Sequence, residues 1–130
     1  LWLTGAPRVS RFVCANAGWY TFPDTAIPFP HGLGGLGLPE AEVNAALARE
    51  VTVLLGDRDT DPNHRQLRRD APTDRQGPHR FARGQAFFAA AESLARQRGV
   101  RFGWRIETVP GVGHSNRGMA PVAAAILASG

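Results

Sequence analysis

The run from Val51 to Leu55, VTVLL, constrains the fold of this chain more than any other feature of its sequence. It lacks the alternation of polar and apolar residues that marks a strand with one face in solvent, and Gly56 ends it. A short apolar run of this kind is typical of a strand that is covered on both faces in a parallel sheet. Because neighbouring parallel strands need a crossover connection, usually a helix, the run predicts an α/β fold.

Further strand and helix patterns alternate on both sides of this run. We predict strands at Arg11–Ala17 and over the apolar–polar alternation that begins at Phe102, and helices at Glu40–Arg49, Phe81–Arg98 and Met119–Ala128. On the longest helix, the residues expected to share one face are Phe81, Phe88, Ala91 and Ala95. This order predicts a mostly parallel sheet with flanking helices, whose strands all end at one edge.

The segments between these patterns are predicted to be irregular. Proline and glycine are concentrated between Trp19 and Leu38, and a polar loop broken by proline runs from Gly56 to about Pro78. Three strands are few for an open parallel sheet, which usually has about five or six. The chain also begins at Leu1 without a methionine or a leader, so we expect the natural start of the protein to lie outside these 130 residues.

The composition is that of a globular domain and excludes several classes of protein. Hydrophobic residues make up 43% of the chain and charged residues 20%, unlike a disordered tail. No apolar run approaches the roughly 18 residues of a membrane span, so no membrane contact is expected. The 15 basic residues, all arginine, are scattered among 11 acids. We therefore do not expect nucleic-acid binding, although the net charge is +4.

Three apparent cofactor or metal motifs do not meet their requirements, and we expect no cofactor and no metal. The glycines of Gly32–Gly37 spell G-x-G-x-x-G, but no predicted strand precedes them. The aspartates of Gly56–Pro62 resemble the start of a calcium loop, but Pro62 stands where glycine is needed. The four histidines are too dispersed for a local zinc site, and the single cysteine, Cys14, is expected to be a small buried residue.

Two loops at the common strand edge carry residues suited to acid–base chemistry. GDRDTDP, Gly56–Pro62, follows the second strand, and PGVGHSN, Pro110–Asn116, follows the third. A carboxylate from the first loop could orient His114 of the second as a general base. Turn aspartates and a turn histidine explain the same residues equally well from spacing alone.

Four segments of the chain resemble the C-terminal half of an α/β-hydrolase, in the branch of bacterial esterases that includes poly(3-hydroxybutyrate) depolymerases. They are RFVCANAGWYTFPD, VTVLLGDRDTDPN, QGPHRFARGQAFF and VPGVGHSNRGM, which begin at Arg11, Val51, Gln76 and Val109. In that fold the triad follows the order Ser, Asp or Glu, His along the chain. The resemblance implies that Asp59, three residues after Gly56, is the acid and that His114 is the base; Asp61 is the alternative acid.

The chain departs from this family in one respect, because it contains no G-x-S-x-G nucleophile motif. None of its serines lies in a predicted strand-to-helix turn. We therefore expect residues 1–130 to be the C-terminal part of a single hydrolase domain, with the serine nucleophile upstream of Leu1. The chain alone is then expected to be inactive.

The resemblance implies a carboxylic ester hydrolase that acts on a small or polymeric ester. Asn16, Trp19 and Tyr20 follow the first strand and could line an acyl or alcohol pocket, although core packing explains them at least as well. The alternative is a non-catalytic module that binds a partner chain through the open edge of its sheet. The sequence does not indicate a cellular location.

Overall fold

The computed structural model describes residues 11–15, 19–57, 60, 67 and 70–110. Its elements in chain order are β1 (Arg11–Ala15), α1 (Glu40–Ala48), β2 (Glu50–Gly56), α2 (Ala71–Asp74), α3 (Arg80–Arg98) and β3 (Trp104–Val109). Five of these elements agree with the predicted order, and α2 is an addition. The predicted helix Met119–Ala128 lies outside the described residues. Within the described ranges, no helix has the length and apolar character to cross a membrane.

The three strands form one parallel sheet in the order β1-β2-β3. Val53 in the middle of β2 is in register with Cys14 on one side and Ile106 on the other. Val51 to Gly56 are all buried, as expected for a strand with neighbours on both sides and cover on both faces. The predicted fold class, α/β with a parallel sheet and flanking helices, is confirmed.

The main core lies between one face of the sheet and helices α1 and α3. Val51, Val53 and Leu55 alternate onto this face, since successive strand residues point to opposite sides. Trp104 of β3 joins them: it is 5% exposed, and its indole Nε1 donates a hydrogen bond of 2.9 Å to the carbonyl of Ala46. This bond satisfies the one polar atom of a large buried side chain and fixes α1 against the sheet.

The buried face of α3 differs from the prediction. Phe87, Ala91 and Ala95 are buried on it, but Phe81 and Phe88 are only partly buried. Successive residues of a helix are rotated by about 100° about its axis. Phe88, one residue after the buried Phe87, therefore lies at the border of the buried face. There its ring lies 5.6 Å from that of Phe102. The predicted helix and the buried positions of both alanines are correct, and Phe81 and Phe88 pack against the same core while staying partly exposed.

Gly84 is the point of closest approach between α3 and β2. A Cβ built at Gly84 would overlap the side chain of Leu55 and lie 3.1 Å from the hydroxyl of Tyr20. The missing side chain therefore lets the helix approach the sheet more closely than any other residue would permit. This contact also places the first turns of α3 beside the carboxyl end of β2.

We expect Gly84→Ala to lower the free energy of unfolding by about 1–3 kcal/mol, although alanine is the better helix former. The overlap with Leu55 must be relieved by moving a fully buried side chain. Urea denaturation of Gly84→Ala and of Gln85→Ala, an exposed neighbour on the same helix, provides the comparison. Equal stability of both variants would show that the helix can withdraw from the sheet at little cost.

The short helix α2 is missing from the sequence prediction, which extends the polar loop to Pro78. A reciprocal cap begins it: the carboxylate of Asp70 accepts from the amide of Thr73 at 2.9 Å, and the Thr73 hydroxyl accepts from the Asp70 amide at 3.2 Å. Pro72 fits the first turn, where no amide donor is needed. Four residues are too few for a helical hydrophobic pattern, so the cap was the only available signal.

Candidate functional site

The carboxyl ends of β2 and β3 lie side by side at one edge of the sheet. Gly56 is in register with Val109, and the amide of Asp57 donates a hydrogen bond of 3.2 Å to the Val109 carbonyl. The chain that follows Asp57 and the chain that follows Val109 therefore leave the sheet from neighbouring positions. In open α/β sheets this edge is where ligands bind.

The segment from Trp19 to Leu38, here called loop 19–38, is irregular as predicted and is closed by its own backbone. The amide of Phe22 donates to the carbonyl of His31 at 2.9 Å, and the amide of Leu33 donates to that of Asp24 at 3.0 Å. A Cβ at Gly32 would overlap the backbone of Ile27. Gly32 and Gly34 of the G-x-G-x-x-G sequence thus allow close backbone approach within this loop, whereas Gly37 has a positive φ of 62° in open space.

Gln76 joins loop 19–38 to the segment between α2 and α3. Its side-chain Oε1 accepts a bond of 2.9 Å from the amide of Tyr20, and its Nε2 donates one of 2.7 Å to the Tyr20 carbonyl. The amide side chain therefore pairs with both backbone groups of one residue, as a neighbouring strand would. Because Gln76 is buried, these bonds compete little with water and hold the two segments at a fixed distance.

Arg83 supports the turn on which Gln76 lies. Its side chain is fully buried, and its Nε donates a hydrogen bond of 2.9 Å to the carbonyl of Gly77. One terminal nitrogen lies 3.4 Å from a carboxylate oxygen of Asp74, whose side chain is 43% exposed. Helix α3 therefore carries a buried cation that fixes the turn 74–77 against its first turns.

An apolar cavity of about 290 Å³ lies between loop 19–38 and α2. Its walls consist mostly of aromatic, proline and aliphatic side chains, from Phe22, Ile27, Pro28, Phe29, His31, Pro72, Arg75 and Gln76. Phe29 is 47% exposed at this site, one of two large hydrophobic side chains so exposed in the described part of the chain. A volume near 300 Å³ is at the lower end for a small-molecule site and suits one ring or a short acyl chain.

Among the described residues that line this cavity, the arginine Arg75 is the one with a formal charge. Arg75 follows α2 and is exposed, and it has no ion-pair partner within the described ranges. The neighbouring Asp74 pairs with Arg83 instead. No aspartate or glutamate is among the described residues that line the cavity. His31 packs its ring 4.8 Å from that of Trp19, and its buried Nε2 has no hydrogen-bond partner in the described part of the chain.

Two of the solved structures that are similar to this chain are hydrolases. One is poly(aspartic acid) hydrolase-1 from Sphingomonas sp. KT-1, with 44% sequence identity, a TM-score of 0.88 and 92% of this chain covered. The other is LpqC, a poly(3-hydroxybutyrate) depolymerase from Bordetella parapertussis, with 40% identity, a TM-score of 0.83 and 89% covered. The chain resembles depolymerase-like hydrolases over nearly all of its length. The resemblance predicted from the sequence is therefore confirmed.

The chain spans less than half of each of these structures, 45% of the first and 39% of the second. No protein-family model matches the sequence, and no curated protein matches it significantly. The similarity establishes the hydrolase-type fold of this part.

The structure describes two of the five residues predicted for the site. Asp59, His114 and Asn16 lie outside the described residues, so their catalytic and lining roles stay predictions. Trp19 is half-buried and covers one side of the His31 ring. Tyr20 is 5% exposed and stacks on Phe87 at 4.5 Å, which places its ring in the main core. Neither Trp19 nor Tyr20 lines the apolar cavity.

Cys14 is partly buried and packs against the main core from the middle of β1. Burial raises the pKa of its thiol. A raised pKa lowers the fraction of thiolate, which is the nucleophilic form. The sequence predicts a small buried residue at Cys14; the side chain does pack against the core, but it is only partly buried.

Proposed function

We propose that the protein to which this chain belongs is a serine-type carboxylic ester hydrolase, with Asp59 and His114 as the acid and base of its triad. The observation that carries the proposal is the similarity, at 40 to 44% identity, to a hydrolase and a depolymerase over nine-tenths of the chain. Position supports the residue assignment. Asp59 follows β2 by three residues and His114 follows β3 by five, and these strands end beside each other.

In this proposal each residue has a defined role. His114 takes the proton of the serine hydroxyl as the serine attacks the ester carbonyl, and then gives it to the departing alcohol. Asp59 orients the imidazole ring and stabilises the imidazolium that forms. The 130 residues contain no G-x-S-x-G, so the serine comes from another part of the natural protein.

The names of the two similar structures indicate the class of substrate. Poly(3-hydroxybutyrate) is a polyester and poly(aspartic acid) is a polyamide, so carbonyl groups in a polymer chain are common to both. We propose an ester bond as the target, in a polymer or in a small molecule. Serine attack followed by release of an alcohol requires no cofactor.

Labelling with a fluorophosphonate tests the serine-type mechanism in the natural protein. We expect rapid covalent labelling at one serine, because the reagent reports a nucleophile activated by a neighbouring base. Preincubation with a small aryl ester is expected to slow the labelling. A properly folded protein that does not react would contradict the proposal and would favour the non-catalytic, partner-binding alternative.

A further inference from the structure

We propose that the apolar cavity between loop 19–38 and α2 is a binding site for a compact apolar carboxylate, that is, a small organic acid with one ring or a short branched chain. The binding proposed here is independent of the ester hydrolysis proposed above. Its occupation does not require a bond to be broken.

The walls of the cavity select the apolar part of such a ligand. Phe22, Ile27 and Pro72 contribute apolar surface inside it, and Phe29 is exposed beside them. Covering this surface removes apolar area from water, which favours binding. The volume of about 290 Å³ accommodates a single ring and is too small for a large fused system.

The charge distribution selects a carboxylate as the polar part of the ligand. Arg75 places an exposed guanidinium at the cavity, and no described lining residue carries a negative charge. Asp74 is adjacent in sequence, but it pairs with Arg83. A planar guanidinium with several donors matches the geometry of a carboxylate, which can accept two parallel bonds from it.

The two walls of the cavity are held in position before a ligand arrives. Gln76 lines the cavity and also bonds both backbone groups of Tyr20, which leads into loop 19–38. The wall formed by α2 is capped by Asp70 and Thr73 and followed by the turn that Arg83 fixes. A site with both walls fixed in this way loses little conformational freedom on binding, which favours even a small ligand.

The test is a titration of the natural protein with benzoate, followed through the ring resonances of His31, which lines the cavity. These resonances are assigned from their loss in His31→Gln. We expect a saturable shift with benzoate, which combines a ring and a carboxylate. Acetate, which lacks the ring, is expected to cause no saturable shift, and benzamide, the neutral analogue, is expected to bind more weakly than benzoate.

Arg75→Gln is expected to weaken benzoate binding about two- to fivefold, the effect of one exposed ion pair, and to leave benzamide binding unchanged. Arg101→Gln is the matched control, because it removes the same charge from an exposed residue that does not line the cavity. The proposal is overturned if benzoate gives no saturable shift of His31, or if both arginine variants weaken binding equally. Loss of activity in His114 variants has no bearing on this result.

Discussion

Replacing His114 with alanine in the natural protein is expected to abolish hydrolysis of a small aryl ester while the fold stays intact. Without the imidazole, no group removes the proton of the serine hydroxyl or returns one to the leaving alcohol. Losses of kcat on the order of 10⁴- to 10⁶-fold accompany removal of a triad residue. The measurement is kcat for p-nitrophenyl butyrate, with far-UV circular dichroism as the check on folding.

His79→Asn is the matched control for this experiment. His79 caps the N-terminus of α3, where its Nδ1 accepts a hydrogen bond of 3.1 Å from the amide of Ala82. Asparagine is also a favoured helix cap, so this variant removes a histidine while it preserves the cap. We expect kcat close to that of the wild type. If His114→Ala also retains full activity, His114 is not the base.

Asp59→Asn gives an independent check on the proposed acid. An asparagine cannot stabilise the imidazolium and favours the wrong tautomer of the ring, which lowers kcat by about 10⁴-fold in a triad. Asp61→Asn is the appropriate comparison, because Asp61 is the alternative acid in the same loop. A large loss of kcat in Asp61→Asn and a small loss in Asp59→Asn would show that Asp61, not Asp59, is the acid of the triad.

The sheet could be predicted from the sequence because its signals are local. An uninterrupted apolar run before Gly56 specifies a strand with both faces covered, and β2 is buried from Val51 to Gly56. The run of good helix formers from Phe81 to Arg98 specifies α3 to within one residue. Such patterns depend on neighbours along the chain, so no knowledge of the tertiary structure is required.

The buried face of α3 could not be predicted because it depends on distant contacts. Hydrophobicity favours Phe81 and Phe88, yet the helix buries Arg83 and Gly84. Gly84 is buried because the side chain of Leu55 packs directly against it. Arg83 is buried because its guanidinium donates to the carbonyl of Gly77 and lies beside the carboxylate of Asp74. A single sequence contains no signal that pairs these groups.

For the candidate site too, one part could be predicted from the sequence and another could not. The neighbouring ends of β2 and β3 follow from the order of strands and helices, and the sheet register agrees with that topology. Asp59 and His114 lie outside the described residues, so their placement there stays a prediction. The apolar cavity does not follow from any pattern. It arises where loop 19–38 folds back on itself and meets α2, and the abundance of proline and glycine there predicts only the absence of regular structure.

Arg83→Ala is expected to lower the free energy of unfolding by about 3–5 kcal/mol. Truncating a large, fully buried side chain to alanine leaves a cavity, which lowers the free energy of unfolding by about 2–5 kcal/mol. The carbonyl of Gly77 also loses its donor. The ion pair itself contributes little, because Asp74 is 43% exposed and regains water when the arginine is removed.

Two further variants separate the causes of this loss in urea denaturation. Arg83→Met retains most of the side-chain volume and loses only the hydrogen bonds. We therefore expect it to lower the free energy of unfolding by about 1–2 kcal/mol relative to the wild type. Arg96→Ala removes the same side chain from the same helix where it is 79% exposed and pairs with Glu92. It is expected to change stability by at most about 0.5 kcal/mol. If Arg83→Ala and Arg96→Ala are equally stable, Arg83 is not needed to hold the turn 74–77. The α2 wall of the apolar cavity must then be fixed by other contacts.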